Sequence, residues 1–98
     1  MQSDLSGVLD SVDSLLAIFR CRLNTNAFAS EVGRRELITL TQLFGDIAAE
    51  LARCLSQAWS SAARFSPIAG RLQNLFELTV ATVLAAAAHC EEIRYVQF

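Results

Sequence analysis

The chain reads as all-α: an elongated up-down-up three-helix bundle, completed by dimerisation. Three observations carry that expectation. Alanine occurs 15 times and leucine 14 times in 98 residues, and both are strong helix formers. Glycine occurs 4 times and proline once, too few for the many turns of a small β fold. Finally, apolar residues recur at steps of three and four along three long segments, and none of them alternates with the period of two that a half-buried strand needs.

The first helix is expected over about residues 3–23. Ser3 suits an N-cap and Asp4 the first turn. Leu5, Leu9, Val12, Leu16, Phe19 and Leu23 are spaced 4, 3, 4, 3, 4, the seam of an amphipathic helix, and Val8 and Leu15 widen it. Acidic residues come early and Arg20 and Arg22 late, as the helix dipole favours. Asn24-Thr25-Asn26 breaks the pattern.

The second helix is expected from Ser30 or Glu31 to about residue 63. Leu37, Leu40, Phe44, Ile47, Leu51, Cys54 and Ala58 keep the same alternation of three and four, with Leu43 and Leu55 beside them. Gly45 lies inside this pattern, where it costs about 1 kcal/mol against alanine and suggests close packing or a slight bend. Ser66-Pro67 marks the next start, because proline suits the first helical position. The third helix then runs over about 67–92. Leu72, Phe76, Thr79, Val83, Ala87 and Cys90 form one face, which Leu75, Val80 and Leu84 broaden. Leu78, Ala81, Ala85 and Ala88 lie on another side. A 30-residue helix is about 45 Å long, so three such helices make an elongated single domain over 1–98.

Composition narrows the function classes. Hydrophobic residues make up 53% and charged residues 18% of the chain, which excludes a disordered segment. The formal net charge is −2 and no basic run exists, which argues against nucleic-acid binding. Every basic residue is arginine, a usage that suggests a GC-rich bacterial source. Residues 1–20 lack the basic and apolar regions of a signal peptide, and the apolar stretch from Leu78 to Cys90 is too short to span a bilayer. A cytoplasmic protein with three reduced cysteines is the expectation.

Few residues suggest chemistry. His89-Cys90-Glu91-Glu92 is the densest group of metal-ligating types, but neighbours on a helix point about 100° apart, so His89 and Cys90 diverge. No metal or other cofactor is expected. Cys21, Cys54 and Cys90 have no metal-motif spacing. No nucleophile elbow, glycine-rich phosphate loop or paired-carboxylate motif occurs, and no enzymatic activity is expected. Arg34-Arg35 and Arg20/Arg22 read as solvated helix-end charges.

What remains is surplus apolar surface. A domain of this size buries only roughly 60–65% of its unfolded surface, and the mean hydropathy is +0.37. The expectation is a non-enzymatic helical protein-protein interaction module, a small bacterial or phage-type regulator, inhibitor, adaptor or chaperone acting as a homodimer. Leu78, Ala81, Ala85 and Ala88 form the expected self-association face. Trp59, Phe65, Tyr95 and Phe98 are the expected contacts to a protein partner of unknown identity. An alternative is a carrier of a small apolar ligand held between the helices, suggested by Phe19, Phe44 and Phe76 on facing stripes.

Overall fold

Helix starts and stops follow local hydrogen bonding. The computed structural model describes the backbone of residues 2–25, 27–61 and 66–96, and the side chains of 6–25, 27–61 and 66–91. The described residues form three helices: α1, Gln2–Leu23; α2, Glu31–Trp59; α3, Pro67–Val96. At the start of α2 the Gly33 N–H donates to Ser30 Oγ at 3.0 Å, satisfying one amide that the first turn would otherwise leave unpaired. At its end Ser60 Oγ donates to Ser56 O at 3.0 Å, closing the helix at Trp59 rather than near residue 63. Residues 62–65 lie outside the described residues. Pro67 opens α3 as expected, and α3 continues four residues past 92.

The helices run up, down and up. The end of α1 meets the start of α2 through Arg22–Glu36. The start of α1 meets the start of α3 through Arg71–Asp10. The molecule measures 53 × 20 × 17 Å, so the expected elongation holds. α3 packs closely on both other helices, but among the described residues no Cα of α1 lies within 8 Å of a Cα of α2.

Large side chains hold α1 and α2 apart. Phe19 stacks on Phe44 with ring centroids 4.8 Å apart and planes 4° from parallel. Phe28, from the loop between the helices, meets Phe19 edge-on at 6.1 Å and is fully buried. The Arg22 guanidinium carbon lies over the Phe28 ring, 4.7 Å from its centroid. Phe76, expected as the third aromatic, is only partly buried against the same core. Leu9, Leu16, Leu37, Leu51, Leu55 and Leu72 fill the rest of the interior.

Gly33 makes the loop's position feasible. A Cβ there would stand 2.7 Å from Ala27 O and 2.8 Å from Phe28 Cα, closer than real carbon contacts. Gly45 differs from expectation: a Cβ there would meet nothing within 4 Å, so no close packing requires it.

The core face of α3 is also rotated from the expected stripe. Leu72 and Thr79 are buried, but Thr82 and Ala86 are buried too, whereas Ala87 is exposed. The rotation follows from α3 touching both neighbours. The two threonines enter the core because each hydroxyl is satisfied within the helix: Thr79 Oγ1 donates to Leu75 O at 2.7 Å and Thr82 Oγ1 to Leu78 O at 2.8 Å. Leu84, expected to broaden the core face, is 66% exposed.

Candidate interaction surface

Because Phe19 and Phe44 prop α1 and α2 apart at one end, the space between the helices is unfilled towards the other. An open groove of about 370 Å³ results. Its α1 wall is Val8, Leu9 and Val12; its α2 wall is Ile47, Leu51 and Cys54; Leu72 of α3 forms the floor. Asp46 and Glu50 stand on the α2 rim. The lining is almost wholly apolar.

The groove continues into exposed apolar residues. Leu15 lies one turn beyond Val12 on α1 and is 51% exposed; Leu43 lies one turn before Ile47 on α2 and is 47% exposed. Val8 is 56% exposed. The expectation that Val8 and Leu15 join the seam is therefore corrected: they lie on the α1 side facing the gap, where α2 stands too far away to cover them. Ile18 and Val32 are exposed as well.

Two arginines of α1 and α2 are paired within the chain. Arg22 bonds Glu36 at 2.5 Å. That hydrogen bond raises the Arg22 pKa and holds the Glu36 carboxyl below its usual range. Arg53 bonds Glu50 at 2.7 Å, which raises the Arg53 pKa.

The residues expected at a self-association face are divided by the structure. Ala81, Ala85 and Ala88 are exposed, whereas Leu78 is half-buried and packs against the core. Leu78, Ala81 and Ala85 line a smaller hollow of about 180 Å³ with Arg20, Leu23 and Asn24 at the end of α1. Ala88 is not part of that lining. Of the expected partner contacts, Trp59 is exposed at the last turn of α2. Phe65, Phe98 and the Tyr95 side chain lie outside the described residues.

The remaining chemistry-bearing residues do not converge. Among the described residues no group of three or more His, Cys, Asp or Glu could hold a metal ion. Cys21 is exposed, and Cys54 and Cys90 are half-buried. No described helix is long and apolar enough to cross a membrane. Sequence reasoning missed the groove and its continuation. A signal existed: Val8 and Leu15 extend the seam residues Val12 and Phe19 into a second stripe of 4, 3, 4 spacing, which makes the apolar face of α1 too wide for one neighbouring helix to cover. No protein-family model matches the chain, and neither curated proteins nor solved structures provide a significant match.

Proposed function

We propose that the chain is a non-enzymatic helical interaction module that works as a homodimer, in the class of small regulators, inhibitors, adaptors and chaperones. The carrying observation is the apolar groove between α1 and α2 with half-exposed Val8, Leu15 and Leu43 along its edges. A folded domain gains free energy by covering such a surface, at about 25 cal/mol per Å² of apolar area removed from water. A second helical surface is the natural cover, because exposed residues three, four and seven apart form ridges that fit grooves of the same spacing.

A second reading has one specific observation behind it. The groove volume, about 370 Å³, falls in the range of small-molecule sites, about 300–1,000 Å³. An apolar ligand held between α1 and α2 would rest on Leu72. Mass measurement under native conditions tests both readings. Twice the chain mass of 10.7 kDa supports the homodimer. A single chain mass contradicts it, and a single chain with a co-purifying small molecule supports the carrier instead.

A further inference from the structure

We propose that the hollow between the end of α1 and α3 is a binding site for a small monocarboxylate with a compact apolar tail, for which benzoate is the simplest probe. Arg20 takes the carboxylate and the α3 wall takes the tail. The proposal stands apart from the homodimer reading and from the α1/α2 groove.

The cation at this hollow is uncommitted. Arg22, Arg35, Arg53 and Arg71 each lie against a carboxylate of the chain, and Arg34 has a partner as well. Arg20 has none among the described residues, and Arg20 lines the hollow. Asn24 stands one turn further on. Its N–H donates to Arg20 O at 3.3 Å and to Cys21 O at 3.2 Å, which holds it beside Arg20 on the same wall. Thr25 N–H and Oγ1 donate to Arg22 O at 3.2 and 2.9 Å. Carbonyls at the end of α1 that would otherwise repel an anion are thus occupied. The Asn24 side-chain amide makes no hydrogen bond among the described residues, and no carboxylate lines the hollow. A guanidinium presents paired donors that match both oxygens of a carboxylate, and the Asn24 amide can add another.

The rest of the wall fits an apolar tail. Leu23 of α1 and Leu78, Ala81 and Ala85 of α3 supply it. Thr82 lines the hollow too, but its hydroxyl already donates to Leu78 O at 2.8 Å, so it offers no free donor. The space exists because positions 81 and 85 are alanine: a longer side chain at either would occupy it. The hollow measures about 180 Å³, and a cavity of about 150 Å³ holds a benzene ring. One six-membered ring therefore fills it, with the carboxylate left at the Arg20 end. Charge separates this site from the larger groove. Asp46 and Glu50 stand on the groove rim and repel an anion, so a carboxylate selects the hollow.

Titration of benzoate into the methyl-labelled full chain, followed by nuclear magnetic resonance, tests this. The expected result is a saturable shift of the Leu23, Leu78, Ala81 and Ala85 methyl signals. Arg20 and Ala85 are both exposed, so substitutions there leave the core intact. Arg20→Gln should raise the dissociation constant about tenfold or more, because a hydrogen bond to a charged group is lost. Ala85→Leu should fill the hollow and abolish saturable binding. Benzyl alcohol, with the same ring and no charge, should bind wild type about tenfold more weakly or worse. Shifts that stay linear into the tens of millimolar, or that gather at Val8, Val12 and Ile47 in the groove, overturn the proposal. An unchanged constant in Arg20→Gln, or equal affinity for benzyl alcohol, overturns it as well. Circular dichroism checks that each variant keeps its helices. If Arg20→Gln does not, the comparison of benzoate with benzyl alcohol on the wild-type chain decides.

Discussion

Replacing Gly33 by alanine should destabilise the fold, although the same change at an ordinary helical position stabilises it. Gly33 sits in the first turn of α2, its N–H held by Ser30 Oγ. Helix propensity alone favours alanine over glycine by up to about 1 kcal/mol, and less so near a helix end. Against this stands the space. The new Cβ would lie 2.7 Å from Ala27 O and 2.8 Å from Phe28 Cα. Both atoms are backbone, so no side-chain rotation relieves the overlap, and the loop must lift away. Phe28 moves with it, and Phe28 is fully buried against Phe19. Overpacking of this kind costs about 1–3 kcal/mol, and losing the Phe28 contacts altogether would approach the 3–5 kcal/mol of a buried Phe→Ala change. The net expectation is a loss of about 1–3 kcal/mol. Gly45→Ala is the matched control: nothing stands within 4 Å of its Cβ, so it should gain about 0.5–1 kcal/mol. Guanidinium denaturation at one fixed protein concentration reads both changes. A Gly33→Ala protein as stable as wild type would refute the close approach of the loop, and a destabilised Gly45→Ala would refute the open space.

Other outcomes follow from the same packing. Leu16→Ala should cost roughly 2–5 kcal/mol because Leu16 is fully buried, whereas Leu15→Ala should change monomer stability by under about 1 kcal/mol; equal costs in thermal melts would mean α1 is turned the other way. Acidification should weaken the link between α1 and α2. The Glu36 pKa is lowered in the fold by Arg22, so its contribution is complete above the ordinary glutamate value of about 4.3 and is lost as the pH falls through the lower folded value. Glu36→Gln should flatten that acid limb of the stability profile, and an unchanged limb would show that the pair contributes nothing. Chelator treatment should leave the melting temperature unchanged, since His89 and Cys90 point apart on α3; a large drop would require a metal site.

Periodicity made the helices legible, and side-chain chemistry decided where it stopped. The seam Leu9, Leu16, Phe19 on α1 and Leu37, Phe44, Leu51 on α2 is buried as its spacing implies. Phe28 was not legible, because a loop residue has no repeat to betray its burial; Gly33, five residues on, is intelligible only once the loop is seen crossing it. The α3 face was placed rightly at Leu72 and Thr79 but misread further on, because Thr82 counts as polar until its hydroxyl is seen bonded to the Leu78 carbonyl one turn earlier. Leu15 and Val8 were misread for a different reason. Their spacing correctly marks an apolar stripe, but whether a stripe is core or surface depends on how near the next helix comes, and the Phe19–Phe44 stack holds that helix away.

The groove carries its own reporter. Cys54 lies in its α2 wall, whereas Cys21 is exposed on α1 outside the lining. Labelling with a thiol reagent at rising protein concentration tests directly whether a second copy covers the groove. The predicted result is that Cys54 labelling slows as the dimer forms while Cys21 continues to react at its initial rate. A Cys54 rate independent of concentration, measured across the range in which the mass doubles, would contradict it.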